Sequence, residues 1–151
     1  MRTRNKGFTL VEILIVVVIL GILAAIVVPQ FTSASTEAVK GALQSQLQTI
    51  NSQLELYRVR NNGAFAAIPM ATNDGWGDLV SDQYLKEEPM NSYTGKRVIV
   101  AGTEGTAIAD TRSSANGWYY DTTVGLTQGT VYAAGYDKAN NKLQHEQAVA
   151  P

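Results

Sequence analysis

A long apolar run opens the pattern of hydrophobic and polar positions along the chain. It extends from Phe8 to Val28, contains a single acid, Glu12, and is closed by Pro29. As a helix rising about 1.5 Å per residue the run would be roughly 31 Å long, which matches a bilayer core of about 30 Å. The pattern therefore predicts a membrane-spanning helix that follows a short basic segment, residues 1–7.

The pattern becomes amphipathic after the proline. Apolar residues then recur at spacings of 4, 4, 3, 4 and 3, which places them on one stripe of a helix. They are Val39, Leu43, Leu47, Ile50, Leu54 and Tyr57. Asn61-Asn62-Gly63 supplies a C-terminal stop. We predict one helix from about Thr9 to Arg60, in which residues 30–61 pack the stripe against a head domain; a coiled-coil seam is the alternative use of the stripe.

Residues 62–151 are predicted to form this head from short elements joined by turns. The elements are a short helix or turn between Gly75 and Leu85, a strand at Arg97–Ala101 with a hairpin partner at Thr106–Ala109, and strands at Gly117–Tyr120 and Thr130–Ala134. Short runs rich in Val, Ile and Tyr between glycines are typical of strands. The predicted fold class is α+β, with the long N-terminal helix packed on a small antiparallel sheet.

Charge is distributed unevenly along the chain. The formal net charge is −1, but Arg2, Arg4 and Lys6 all precede the apolar run, and without them 9 basic residues face 13 acidic ones. The positive-inside bias places the N-terminus in the cytoplasm and the head outside. No block of like charge indicates nucleic-acid binding. The absence of cysteine excludes disulfides, thiolate zinc sites and cysteine nucleophiles.

Three interpretations compete for the N-terminal segment. A cleaved secretory signal would have an apolar core of about 7–15 residues and a small-x-small site; this run is longer, and Leu23-Ala24-Ala25 lies inside it. A plain uncleaved anchor is the second interpretation. The third rests on Glu12, since a carboxylate within an apolar span costs on the order of 2–3 kcal/mol unless it is paired. A plain anchor gains nothing from this acid, unless Glu12 lies near enough to the interface to be solvated.

The segment KGFTLVEILIVVVILGILAAIVVPQF, residues 6–31, resembles the N-terminal signature of type IV prepilins and type II secretion pseudopilins. The resemblance implies that a prepilin peptidase cleaves after Gly7 on the cytoplasmic side and methylates the new N-terminal residue, Phe8. Glu12 corresponds to the family's glutamate, the fifth residue after the cut. Gly21 and Pro29 correspond to the glycine and proline that recur further along the family's helix.

The resemblance also implies partners, a location and a fold, the pilin fold. The expected partners are other copies of the chain, the prepilin peptidase, an inner-membrane assembly platform, minor pilins or pseudopilins, and membrane lipid before assembly. The protein would be a single-pass inner-membrane protein that moves into a cell-surface pilus or a periplasmic pseudopilus. Many type IV major pilins carry a C-terminal disulfide loop, so the lack of cysteine favours a major pseudopilin or a disulfide-free pilin.

Cleavage would create a positive α-amine on Phe8, about one helical turn from Glu12. Glu12 could pair with its own Phe8 amine or with that of a neighbouring subunit. The family assembles by the second route, so Glu12 is predicted to set the register between helices. Gly21 and Ala25 would allow close helix approach, unless their spacing is due to chance. A kink or local melting is predicted between Gly21 and Pro29.

The sequence offers no set of catalytic residues. His145 is the only histidine, and there is no phosphate-binding glycine loop and no HExxH motif. We therefore expect no enzyme and no cofactor. Asp110, Asp121 and Asp137 lie in glycine- and asparagine-rich loops, where calcium could bind. The resemblance implies a calcium site in the C-terminal loops of major pseudopilins, but its ligands do not match residue by residue, and none is assigned.

Two function classes remain after the anchored enzyme is set aside. The first is a structural subunit that polymerises through its N-terminal helix. The alternative is a single-pass, membrane-anchored extracytoplasmic binding module that does not polymerise. The binding module explains the membrane span, but it explains neither Glu12 nor the match to the cleavage site.

Overall fold

A computed structural model describes residues 7–66, 76–123, 125 and 128–147. The chain divides into two compact units, Met1–Glu37 and Ala38–Pro151. The helices are α1 (Leu10–Arg60), α2 (Gly77–Ser81), α3 (Glu104–Ala109) and α4 (Gln144–Gln147). The strands are β1 (Ile99–Ala101), β2 (Trp118–Tyr120), β3 (Val131–Ala133), β4 (Tyr136–Asp137) and β5 (Lys142–Leu143). The predicted α+β class with a long N-terminal helix is confirmed.

Helix α1 follows the predicted bounds closely. It begins one residue after Thr9 and ends at Arg60, where the chain turns through Asn62 and Gly63, both with positive φ. The Gly63 N–H donates to the Arg58 carbonyl at 2.8 Å and closes the last turn. The predicted C-terminal end of the helix is therefore confirmed. A single helix of 51 residues contributes residues to both units.

The predicted apolar stripe forms one wall of the core of the second unit. Val39 is half-buried, and the other five stripe residues are buried. They pack with aromatic and aliphatic side chains of the head, among them Trp76, Leu79, Ile99, Trp118, Tyr120 and Val131. Burial of this stripe, at about 25 cal/mol per Å² of apolar area, is the main force that holds the head on the second half of α1.

The sheet is mixed, and this corrects the predicted hairpin. Strand β1 pairs parallel to β2, and β2 pairs antiparallel to β3. The segment predicted as the hairpin partner, Thr106–Ala109, lies in helix α3. Thr103, in an extended conformation, precedes the helix. Glu104 lies in its first turn, where the helix dipole interacts favourably with an acidic side chain. The side chain of Ala107 is buried against the sheet, so α3 connects two parallel strands where a turn was expected.

Strand β2 lies at the centre of the sheet and places its aromatic side chains on alternate faces. Trp118 and Tyr120 belong to the core that contains α1, whereas Tyr119 packs with Ala107 and Ala134 in a second cluster. Trp76 and Trp118 meet edge to face with ring centroids 6.0 Å apart. These aromatic side chains therefore form packing contacts on both faces of β2.

Candidate functional site on the N-terminal helix

The first half of α1 presents a surface that is apolar as far as Val28 except at Glu12. Every described side chain from Phe8 to Ser35 is exposed. The exposed fraction is 85% for Phe8, and it lies between 41% and 61% for the large apolar residues from Val11 to Val28. A surface this apolar needs lipid or other protein to cover it, because monomeric soluble proteins rarely expose such patches.

Within the described residues, α1 is the one helix long and apolar enough to cross a membrane. Its apolar part matches the thickness of a bilayer core, so it can anchor the chain in a membrane. Gly7 and Phe8 precede the helix and are exposed. The predicted cleavage bond between them therefore lies in extended or irregular backbone, outside any helical hydrogen bond.

Glu12 is bonded to Thr9 at the start of the helix. Thr9 donates to Glu12 Oε2 through its backbone N–H at 2.8 Å and through its hydroxyl at 2.9 Å. The Glu12 N–H donates to Thr9 Oγ1 at 3.2 Å. This reciprocal arrangement is a capping box, in which the first and fourth residues of the turn satisfy each other's backbone donors.

The capping box adds a residue that the sequence analysis did not single out. The pattern Thr-Leu-Val-Glu fits the S/T-x-x-E signature, so the signal for Thr9 was present. In the uncleaved chain the Phe8 nitrogen is a peptide nitrogen. The Glu12 carboxylate instead accepts its hydrogen bonds from Thr9, the residue after Phe8. The predicted partner of Glu12, the α-amine of Phe8, exists only after cleavage, so the pairing stays a prediction.

Gly21 and Pro29 lie within α1. A Cβ placed on Gly21 would meet no atom within 4 Å, so this part of the helix surface is open for the close approach of another chain. Pro29 lacks the N–H of a normal helical residue, and three residues on, the Thr32 hydroxyl donates to the Val28 carbonyl at 3.1 Å. The predicted kink or melting between Gly21 and Pro29 stays a prediction.

Each of the three loop acids of the head accepts hydrogen bonds from protein groups, Asp121 from the Thr123 N–H at 2.8 Å. Asp110 accepts hydrogen bonds from Ser114 and Tyr119, each at 2.7 Å, and Asp137 accepts two from Asn140. These Asn140 bonds lower the pKa of the Asp137 carboxyl, although burial opposes them. In the described part of the chain no three acidic, histidine or cysteine side chains lie close enough to hold a metal ion. The calcium ion expected in these loops stays a prediction.

Comparison with known proteins supplies the family. The profile of the prokaryotic N-terminal methylation motif matches residues 2–28. The type II secretion system core protein G of Pseudomonas aeruginosa is 34% identical over 116 residues, which cover 69% of this chain and 80% of that protein. The chain belongs to the family of type II secretion pseudopilins and type IV pilins.

Other pseudopilins and a pilin match as well. Core protein G of Dickeya chrysanthemi is 38% identical over 91 residues, which cover 60% of this chain and 56% of that protein, so the match spans little more than half of that relative's length. The type IV major fimbrial protein FimA of Dichelobacter nodosus is 28% identical over 148 residues, which cover 83% of this chain and 92% of that protein. No solved structure matches the chain.

Proposed function

We propose that this pseudopilin-like chain is a structural subunit that a prepilin peptidase cleaves after Gly7 and methylates on Phe8, and that then polymerises through its N-terminal helix. The observation that carries the proposal is the exposed apolar surface from Phe8 to Val28 with one carboxylate, Glu12, in its first turn. Lipid covers this surface in the precursor, and neighbouring copies of the helix cover it in the filament.

The proposed processing follows from the position of the cleavage bond. Gly7 has no Cβ and a Cβ there would meet nothing within 4 Å, so a peptidase can approach the backbone at this point. Phe8 follows with its ring exposed. Cleavage leaves the new amine close to the capping box of Thr9 and Glu12, and the carboxylate then has a positively charged partner within reach.

The proposed assembly role of Glu12 follows from the cost of an unpaired charge. A carboxylate among apolar helices costs about 2.5–3.5 kcal/mol or more when unpaired. The apolar side chains around it would tolerate many alignments, whereas the pairing of Glu12 with the Phe8 amine of a neighbour is satisfied in one register only. The side chains of leucine, isoleucine and valine thus supply adhesion, and Glu12 supplies alignment.

The proposed topology places the N-terminus in the cytoplasm and the head outside, because the cations of residues 1–7 precede the span. From the inner membrane the subunit would enter a filament with the help of the assembly platform and minor pilins or pseudopilins.

Of the two kinds of filament we favour the secretion pseudopilus, because several relatives at 34–39% identity are named core protein G. A deletion strain tests this choice. It should lose protein secretion and keep its surface fibres, whereas loss of the fibres with normal secretion would indicate a pilus.

The processing step is tested on the mature N-terminus. The chain is expressed in membranes with an active prepilin peptidase, and its N-terminal peptide is analysed by mass spectrometry. We expect N-methyl-phenylalanine at Phe8 with the peptidase, and an intact Met1 in a control without it. An intact Met1 in the presence of the active enzyme would contradict the proposal and favour the anchored binding module.

The assembly step is tested with Glu12→Val. This variant should insert into membranes normally, because valine suits the apolar span, and should give few or disordered filaments. Glu37→Gln is the matched control, since it removes an exposed acid from the same helix and should leave filament yield unchanged. Normal yield and normal subunit order in Glu12→Val filaments would show that Glu12 does not set the register.

A further inference from the structure

Lys40 is the first buried residue along α1. Its exposed fraction is 7%, and its ammonium nitrogen lies 2.9 Å from Glu146 Oε1. Glu146 belongs to α4, almost at the other end of the sequence. A lysine in this position is unusual, because buried charges persist only where a partner and hydrogen bonds compensate their desolvation.

Glu146 is itself held in place by α4. Its second carboxylate oxygen accepts the Leu143 N–H at 2.7 Å, which satisfies a donor at the start of that helix. The neighbouring residue, His145, stacks on Tyr93 with ring centroids 5.8 Å apart and an interplanar angle of 12°. Helix α4 is therefore oriented at two points, and the carboxylate that Lys40 needs is presented at a fixed place.

This ion pair differs in its burial from the exposed pair that Arg58 and Glu55 form on the same helix. The side chains of Lys40 and Glu146 are 9% and 28% exposed, whereas those of Arg58 and Glu55 are 47% and 68% exposed and lie 3.8 Å apart. Pairs as exposed as Arg58 and Glu55 contribute little to stability because water screens them. Removal of one partner from a buried pair instead leaves an uncompensated charge, which is strongly unfavourable.

We propose that the Lys40–Glu146 ion pair is a latch that joins helix α4 to α1 and keeps the first turn of the apolar stripe, from Val39 to Leu43, on the head. Because Lys40 and Glu146 are far apart in the sequence, the latch closes only when the tertiary fold brings α4 to α1. With the latch closed, both the half-buried Val39 and the ion pair hold the first turn of the stripe, and with the latch open the first buried residue that holds the helix is Leu43.

The latch has a consequence for assembly, which rests on the proposed polymerisation. If α1 loosens near Pro29 when subunits pack, the closed latch stops the loosening at Lys40 and keeps the apolar stripe in the head. An open latch would let the first turn of the stripe leave the core. The filament would then contain subunits whose heads pack against a shorter part of α1.

Hydrogen–deuterium exchange of the full-length chain in detergent micelles tests the latch itself. In Lys40→Met and in Glu146→Gln, the amides of residues 38–46 should exchange about tenfold faster or more, while those of β2 keep their protection. The double variant Lys40→Glu with Glu146→Lys should recover most of the lost protection. The control Glu55→Gln, which removes the exposed pair on the same helix, should leave the exchange unchanged.

Two exchange results would overturn the latch. One is unchanged protection of residues 38–46 in both single variants. The other is an equal loss of protection across the whole head, because a latch acts locally. Filament yield is then measured for the same variants: normal yield in both single variants rejects the role in assembly, whereas a wild-type chain that forms no filaments contradicts the proposed function and leaves the exchange result standing.

Discussion

Thr9 and Glu12 satisfy each other at the start of α1 through three hydrogen bonds. Removal of the hydroxyl in Thr9→Val should weaken the first turn by about 1 kcal/mol, the usual cost of a lost N-cap. Amide exchange of residues 10–13 in micelles should rise accordingly in the uncleaved chain. Thr9→Ser keeps the hydroxyl and is the matched control. Equal exchange rates in the two variants would show that the capping box does not hold this turn.

Asn91 is a second residue whose side chain is fully used. It is completely buried, donates to the carbonyls of Gly117 and Ala134, and accepts the N–H groups of Tyr93 and Thr94. It therefore joins the turn after Pro89 to the residues that flank β2 and β3. All four of its hydrogen-bonding positions have partners, which makes its loss expensive.

The variant Asn91→Ala should lose about 3 kcal/mol or more of unfolding free energy, because it leaves several buried backbone groups without partners. Denaturant unfolding followed by the fluorescence of the head's two tryptophans measures the loss. Asn116→Ala removes an amide that bonds one hydroxyl, Tyr119 Oη, at 3.0 Å, and should lose about 1 kcal/mol or less. Similar losses in both variants would contradict the central role of Asn91.

At the scale of elements, Gly135 shapes the connection between β3 and β4. Its φ is +74°, and a Cβ there would collide with the Tyr93 ring. Its N–H donates to the Ala107 carbonyl at 2.7 Å, and its carbonyl accepts the Gln144 N–H at 2.9 Å. One glycine thus links α3, the connection and the start of α4.

Gly135→Ala should therefore destabilise the head by about 2 kcal/mol or more, because the left-handed backbone alone costs roughly 1–2 kcal/mol with a Cβ and the Tyr93 ring must also move. The control Gly105→Ala lies within α3, where the nearest atom to a new Cβ is Thr103 Oγ1 at 3.9 Å. It should be neutral or stabilising by up to about 1 kcal/mol. Thermal unfolding of both variants checks the contrast, and an equal effect would contradict it.

The elements that the sequence predicted are those whose signal is long or repeated. Helix α1 is specified by a stripe sustained over many turns, and β2 by a run of three adjacent aromatic residues between glycines. Helix α3 was missed because six residues are too few to distinguish alternation from helical spacing. Strands β4 and β5 have two residues each and are defined by their mutual pairing, which no local pattern encodes.

The functional residues follow the same division. Thr9 and Glu12 are three residues apart, so a local motif was sufficient to connect them. Lys40 and Glu146 come together only in the folded head. In the sequence, each has the pattern of an ordinary charged surface residue. Pairings of this kind depend on the tertiary fold, and a single sequence carries no signal for them.

At the scale of the whole molecule, ionisable groups of the head limit its stability on both sides of neutral pH. Burial raises the pKa of the Glu146 carboxyl, but the hydrogen bonds from Lys40 and the Leu143 N–H, together with nearby positive charge, outweigh it and lower the pKa below its ordinary value. The Asn140 bonds do the same for Asp137. Burial raises the pKa of the hydroxyls of Tyr93, Tyr119 and Tyr120.

The two directions have opposite consequences for stability. A carboxyl whose pKa is lower in the folded state stabilises the head above the unfolded pKa of about 4, and this contribution disappears as the pH falls through the folded value. A tyrosine whose pKa is higher in the folded state stabilises the head below about pH 10, and this contribution disappears as the pH rises through the folded value. The melting temperature of the chain in micelles should therefore show a plateau around neutral pH.

We expect this melting temperature, followed by tryptophan fluorescence, to fall below about pH 4 and again above about pH 10. Glu146→Gln should flatten part of the acid limb, since its uncharged amide no longer takes up a proton, and should leave the alkaline limb unchanged. Tyr119→Phe should flatten part of the alkaline limb and leave the acid limb unchanged, because it removes a hydroxyl that is protonated in the head and ionises on unfolding at high pH. A melting temperature that is constant from neutral pH down to about pH 3 would show that neither Glu146 nor Asp137 gains its lowered pKa from the folded head.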